Sequence, residues 1–226
     1  MSVLRKIKSH GIIHSAEIIF NRIVPAWIFR FSVGTVLELD LPKLCEVLDK
    51  LPPEDFVLRC VDDPVAVAEL RETTWNSVPV ETTRNHLGYS ISRNDDPGLT
   101  LGGVWGGIER FNEADLGFQI QLEKDQALIY CAYVSKQARG GGIYTRVLSF
   151  AARDLRSRGH DQLRVMIQPW NKASMYIHRK YAVRSLGNVA VIRVFGLVMV
   201  FCTGEISKNK TCTTGLLSNP VLITFP

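Results

Sequence analysis

Two periods of apolar and polar positions alternate along this chain, and the switches between them mark its elements. Ala127–Val134 (ALIYCAYV) is an unbroken apolar, β-branched and aromatic run, which predicts a buried strand. From Ile143 onward, Ile143, Val147, Phe150, Ala151 and Leu155 recur at helical spacing, with Arg146, Arg153, Asp154 and Arg156 on other faces. Gly140, Gly141 and Gly142 stand between strand and helix, at the helix entrance.

The remaining elements follow the same logic. A helix is predicted over Ser2–Ile23, basic at its beginning and ended by Pro25, and an extended stretch over Trp27–Leu41. Pro42 and the Leu51-Pro-Pro53 turn bracket a short helix. Phe56–Val61 is a strand, and Asp62-Asp63-Pro64 starts a helix with proline at its first position. That helix, Val65–Thr73, leads into a polar helix-or-loop region around Trp75–Leu87, and Asn94–Gly98 is a turn. Leu101–Phe111 and Leu116–Leu122 form a hairpin. Later come a strand at Leu163–Gln168, a helix at Asn171–Tyr181, and strands near Leu186–Arg193 and Leu197–Cys202. The tail from Gly204 has no clear assignment. This order predicts an α+β fold, a mixed and mostly antiparallel sheet flanked by helices. It divides into an N-terminal extension at 1–53, a main domain at 54–203 and a C-terminal tail at 204–226.

The glycine turn is where the pattern implies a ligand. Residues without Cβ let backbone approach a bound group, and the first N–H groups of a helix have no partner inside it. With the helix dipole added, the turn suits an anion, and Arg139 brings a fixed positive charge. A tight turn with no ligand fits three glycines equally well. No GxxxxGK[ST] is present, so a P-loop is excluded. The glycines also come too late in the chain for a dinucleotide fold.

Composition narrows the classes. The 226 residues suffice for one ordinary domain with a real core. A net charge of +5 permits an anionic ligand, lipid headgroups or nucleic acid without choosing among them. No basic–aromatic platform is visible, so no nucleic acid is expected. Cys45, Cys60, Cys131, Cys202 and Cys212 are scattered and odd in number, with no CxxC pair. Reduced thiols, a cytoplasmic setting and no metal site are expected. The apolar stretches Ile12–Phe31 and Val189–Cys202 are interrupted by charges and fall short of a membrane span.

Two segments in order resemble the GCN5-related N-acetyltransferases, the acyl-CoA-dependent GNAT superfamily, and the resemblance covers roughly Asp55–Cys202. The first, Val134–Tyr144, is similar to that family's pyrophosphate loop, [QR]-x-x-G-x-[GA]. Gln137, Gly140 and Gly142 fit it literally. Spacing from Val134 favours Arg139, Gly142 and Tyr144 instead, with Tyr144 replacing the usual small residue. The second, Asn171–Val183, is similar to the family's N-x-x-[AS]-x-x-x-Y helix. Asn171, Ser174 and His178 share one helical stripe there, with His178 where a tyrosine general acid is common.

The resemblance implies direct transfer of an acetyl or other acyl group from acyl-CoA to an amine in a ternary complex. It places CoA against the backbone of Ala132 and Val134, the loop Arg139, Gly140, Gly141, Gly142, Ile143 and Tyr144, and the side chains of Asn171 and Ser174. His178 would protonate the departing thiolate, or else only touch pantetheine. Glu109, at the end of the strand Leu101–Glu109, is the candidate base, with Tyr130 and His86 behind it, although most such glutamates are solvated strand ends. The acceptor pocket would come from Trp75–Asp96 and the hairpin, and an amino-sugar or surface-polysaccharide precursor is one acceptor class. The basic amphipathic N-terminal segment can cover the sheet, pair with a second subunit as a homodimer, or lie on an anionic membrane. A non-catalytic acyl-CoA-binding module of the same fold is the alternative to an enzyme.

Overall fold

The chain is described by a computed structural model that covers residues 21, 23–50, 56–74, 85–208 and 212–226. Most of the predicted helix Ser2–Ile23, the Leu51-Pro-Pro53 turn and most of Trp75–Leu87 lie outside these residues. The first part of the fold comprises β1 (Phe29–Leu39), α1 (Leu41–Lys50), β2 (Phe56–Val61) and α2 (Pro64–Thr73). β3 (His86–Arg93) and β4 (Thr100–Ile108) follow as an antiparallel pair, then β5 (Arg110–Glu113), with β6 (Phe118–Gln121) returning antiparallel beside it. Then come β7 (Gln126–Val134), α3 (Ile143–Ser157), β8 (Gln162–Ile167) and α4 (Lys172–Lys180). The chain closes with β9 (Ala182–Val194), β10 (Leu197–Cys202), β11 (Cys212–Leu216) and β12 (Val221–Thr224). No helix among the described residues is long and apolar enough to cross a membrane.

Nine strands make one sheet in the order β11-β10-β9-β1-β8-β7-β4-β3-β2. Its single parallel pair is β7 with β8, joined through α3. The fold is α+β with a large, mostly antiparallel sheet. β1, from the stretch expected as an extension, pairs with both β8 and β9 and so fills the middle of the sheet. A second sheet of three strands, β12-β6-β5, sets β12 parallel to β6.

Strand alternation splits the core into two layers. Val36, Trp105 and Leu128 face one way, with Leu70 of α2 and Phe111, Phe118, Ile120 and Ile223 of the small sheet. Leu37, Val104 and Ile129 face the other way, against Leu44 of α1 and Val147, Leu148 and Leu155 of α3. The Asp63 carboxylate accepts from Val65 N–H at 3.0 Å and Ala66 N–H at 2.9 Å, so α2 starts where the Asp-Pro pair predicts. Such a cap contributes about 1 kcal/mol.

Three elements depart from the sequence pattern. β3 falls partly in the region expected as helix or loop, although Leu87, Tyr89 and Ile91 alternate as a strand should. Leu101–Phe111 is broken at Glu109, whose φ of 62° kinks the chain out of the main sheet and into the small one. The tail after Gly204 supplies a short 3₁₀ turn, Gly204–Lys208, and the strands β11 and β12.

Candidate active site

β7 and β8 pair only from Gln126↔Gln162 to Ile129↔Val165 and then part. On its other side β7 stays paired with β4 as far as Val134↔Gly102. From Tyr130 to Val134, therefore, one edge of β7 has no strand partner. The separation coincides with a bulge. Register slips between Gly103↔Tyr133 and Trp105↔Tyr130, and Cys131, inside the bulge, has a φ of 48°. An extra residue on one strand kinks it and increases its twist, which steers β7 away from β8.

The wedge opens a cavity of about 410 Å³. Its walls include Ser32–Gly34 of β1, Tyr130–Ala132 of β7, Phe111 and Glu113 of β5, Asn171 just before α4, and Ser174 and His178 of α4. A groove of about 600 Å³ adjoins it, sharing Ala132, Tyr144, Asn171 and Ser174 and continuing along Val134, Arg139, Gly140, Gly142 and Ile143. A third cavity, about 430 Å³, shares Ala138, Arg139 and Ile143 with that groove and reaches Arg93, Gln137 and Gly141. The three run end to end past the glycine turn.

α3 begins at Ile143, as the spacing predicts, with Gly142 as its N-cap. Among the described residues no side chain caps that end and its first turn has no acidic residue, although Asp95 and Asp96 line the third cavity with Gly141 and Ile143. Gly140 and Gly142 have φ of 86° and 72°, and a Cβ on either would meet nothing within 4 Å. The glycines are thus required by backbone conformation, and the space above them is open to a ligand. The Arg139 side chain lies back along the loop, its Nε donating to the Val134 carbonyl at 3.3 Å.

The predicted stripe on α4 faces the cavities. Asn171 caps the helix, its side-chain oxygen accepting from Ser174 N–H at 3.2 Å. His178 is buried, with Nδ1 2.7 Å from the Ser174 carbonyl and 3.2 Å from its hydroxyl. A carbonyl only accepts, so Nδ1 carries the proton and Nε2 of the neutral ring is an acceptor. The Tyr144 hydroxyl, 2.7 Å away, donates to it. Burial lowers the His178 pKa, only partly opposed by the Ser174 carbonyl, and burial raises that of Tyr144. Both side chains are neutral near pH 7. Tyr144, unusual for the loop pattern, therefore meets the histidine that replaces a tyrosine on α4.

Glu109 does not line these cavities. It is exposed, and its carbonyl accepts from Leu122 N–H at 2.8 Å and the Gln121 side chain at 2.9 Å. The kink at Glu109 instead carries Phe111 and Glu113, alternate residues of β5, over the wedge. Burial, with a smaller contribution from Asp115, pushes the Glu113 carboxyl up to about 7. Sequence reasoning missed Glu113 because it sits in the hairpin connection, where a carboxylate looks like turn chemistry. Tyr130 lines the wedge, its hydroxyl 2.5 Å from His86 Nδ1, while His86 stands behind it and has its pKa lowered by burial and then by Arg110. No group of three or more His, Cys, Asp or Glu side chains among the described residues is arranged to hold a metal ion.

No protein-family model and no curated protein matches this chain in sequence. Its likeness to other proteins lies in solved structures. A conserved protein of unknown function from Staphylococcus epidermidis superposes with a TM-score of 0.51 at 9% identity, over 80% of this chain and 67% of the other. A Drosophila protein gives 0.51 at 14% identity, over 80% and 56%. A GCN5-related N-acetyltransferase from Kribbella flavida gives 0.47 at 10% identity, over 73% and 59%. The chain thus spans about two thirds or less of each. Beside these stands the order of parts, a parallel strand pair that splays at a bulge with a glycine turn and helix between its members. The wedge and the glycine groove are lined by residues of both sequence segments, Val134–Tyr144 and Asn171–Val183.

Proposed function

We propose that this chain is an acyltransferase that moves an acetyl or other acyl group from acyl-CoA to an amine by direct transfer. The observation that carries this reading is the line of three adjoining cavities past an uncapped helix N-terminus. A ligand that fills it is elongated, anionic in the middle and reactive at one end, which describes an acyl-CoA.

In this reading the amides of Gly140–Tyr144 and Arg139 hold the pyrophosphate, and Gln137 and Arg93 border the nucleotide end. The groove beside Val134, Asn171 and Ser174 takes the pantetheine arm, which brings the thioester to Ala132 at the mouth of the wedge. Bound acyl-CoA supplies an activated carbonyl. Glu113 accepts a proton from the attacking amine, and a carboxyl pushed up to about 7 suits that task at neutral pH. As the N–C bond forms and the C–S bond breaks, the Tyr144 hydroxyl turns from His178 Nε2 to give its proton to the departing sulfur, and the phenolate recovers a proton from solvent. His178 acts as a positioning residue that holds the tyrosine side chain at the junction of wedge and groove before transfer.

The test is calorimetric titration with acetyl-CoA, followed by a screen of primary amines with free thiol as the readout. Binding with amine-dependent thiol release is expected. Binding with no turnover on any amine would leave a CoA-binding module, and absence of binding would overturn both readings.

A further inference from the structure

The end of the main sheet where β1 begins carries an apolar surface that nothing in the described fold covers. Ile23, Trp27, Phe195, Leu197, Leu216 and Leu217 are all exposed there, the first three at 73%, 68% and 71% for Ile23, Trp27 and Phe195 respectively. Three relationships tie all of them but Ile23 to neighbouring elements. The Trp27 and Phe195 rings lie 6.1 Å apart, Leu197 stands opposite Leu216 across β10 and β11, and Leu217 N–H donates to the Gly196 carbonyl at 2.8 Å. Phe195 forms the tip of the β9–β10 turn with a φ of 49°, a conformation that asparagine or glycine adopts more easily. A bulky aromatic is thus held in the open against its own backbone preference.

Charge and hydrogen bonding decide what the patch faces. The segments 23–37, 186–204 and 212–226 that build this end contain no Asp or Glu. Their only cations, Arg30 and Arg193, are turned onto backbone. Arg30 donates to the carbonyls of Val24 at 3.3 Å and Phe29 at 3.0 Å, and Arg193 to that of Ala26. The Pro25 carbonyl accepts from Ile28 N–H at 3.0 Å, and the Ile28 carbonyl from Phe195 N–H at 2.9 Å. Carbonyls bonded in this way do not oppose transfer of the patch from water into a less polar layer. The 22 residues that precede it in sequence carry Arg5, Lys6, Lys8 and Arg22 against Glu17 alone, which complements anionic headgroups.

We propose that this end of the sheet docks on an anionic lipid bilayer, with Trp27 and Phe195 entering the interfacial layer. Aromatic side chains favour that layer, and an apolar patch together with basic residues supplies the two signals that stable peripheral binding requires. This inference is independent of the acyltransferase reading.

The experiment is co-sedimentation of the full chain with vesicles of 3:1 phosphatidylcholine to phosphatidylglycerol and with phosphatidylcholine alone. The anionic vesicles should bind at least tenfold more strongly, and Trp27→Ser/Phe195→Asn should lose at least tenfold with its melting temperature retained. Asparagine suits the left-handed φ at 195, so the variant is chosen to fold. In parallel, bromine-labelled lipid should quench wild-type tryptophan fluorescence, and Trp27→Phe should lose the quenchable fraction. The proposal is overturned if the wild type stays in the supernatant, or if the double variant sediments as well as the wild type. It is equally overturned if fluorescence at Trp27 is not quenched, or if the patch proves to be a dimer interface that vesicles do not displace.

Discussion

The Tyr144 hydroxyl and His178 Nε2 lie 2.7 Å apart, with their rings 5.3 Å between centroids and inclined at 61°. Two departures from the pattern that the sequence resembles thus meet in one hydrogen bond. Where a tyrosine on the second helix is common, this chain has a histidine, and where the loop usually has a small residue, it has a tyrosine. A phenol is supplied to the wedge from α3 instead of α4.

Tyr144→Phe removes the only hydroxyl in that pair and leaves the ring's packing in place. A fall in kcat of about 10²-fold is expected, with the KM for acetyl-CoA changed by no more than a few-fold. His178→Ala should lower kcat less, and His178→Gln, which restores an acceptor, should recover part of it. Unchanged turnover in Tyr144→Phe would remove the tyrosine from the chemistry. A loss confined to KM in either variant would mean the pair only shapes the groove.

Glu113 should set the rising limb of the pH profile. With its carboxyl pushed up to about 7, kcat/KM should climb through that pH, and Glu113→Gln should flatten the limb and lower the rate by about 10²-fold. His178, with its pKa lowered, and Tyr144, with its pKa raised, stay neutral across this range. Stability gives an independent readout. A carboxyl raised on folding binds more protons in the native state between the ordinary glutamate value and 7, so stability falls as pH rises through that window. The loss is on the order of 2 kcal/mol after allowance for partial solvent access. Glu113→Gln should abolish it, and wild-type and variant melting curves that stay parallel from pH 5 to 8 would contradict the assignment.

How much of this site could be read from sequence depended on how local the cause was. The strand into Val134, the turn at Gly140–Gly142 and the helix from Ile143 are all visible, because periodicity and the demand for positive φ act within a few residues. The stripe Asn171, Ser174, His178 is visible for the same reason. Glu109 looked like a strand end pointing at the acceptor, but its left-handed φ cannot be inferred from a glutamate in an apolar run. That kink is what exchanges Glu109 for Glu113. The bulge at Cys131 is equally hidden, since it depends on register with β4. β12 pairs parallel with β6 from about a hundred residues away, so no local pattern marks it.

Gly142 and Gly141 make a matched pair for testing the proposed phosphate cradle. Gly142 has a φ of 72° and open space where a Cβ would go, whereas Gly141 lacks a left-handed φ and its nearest contact is the Ala138 carbonyl at 3.7 Å. Gly142→Ala should cost about 1–2 kcal/mol of backbone strain and raise the Kd for acetyl-CoA by about tenfold or more. Gly141→Ala should leave stability within about 0.5 kcal/mol and affect binding less. Equal effects on affinity would mean the turn's conformation does not govern ligand approach.

Gly187 tests the packing that holds β9 against the chain after β10. A Cβ there would lie 1.9 Å from the Thr203 carbonyl oxygen, and its φ of 134° already excludes ordinary side chains. Thr203 cannot give way freely, because its N–H donates to the Asn188 carbonyl at 2.9 Å and its hydroxyl accepts from Asn188 N–H at 3.0 Å. Gly187→Ala must therefore tear this junction, at a cost of about 3 kcal/mol or more. At this chain length that lowers Tm by roughly 6–12 °C. Gly159→Ala is the control, since its φ of 91° is also left-handed but no atom lies within 4 Å of the added methyl. It should cost about 1 kcal/mol. Differential scanning calorimetry of the two variants separates steric closure from backbone strain, and equal Tm losses would show that the Thr203 contact is not what fixes this junction.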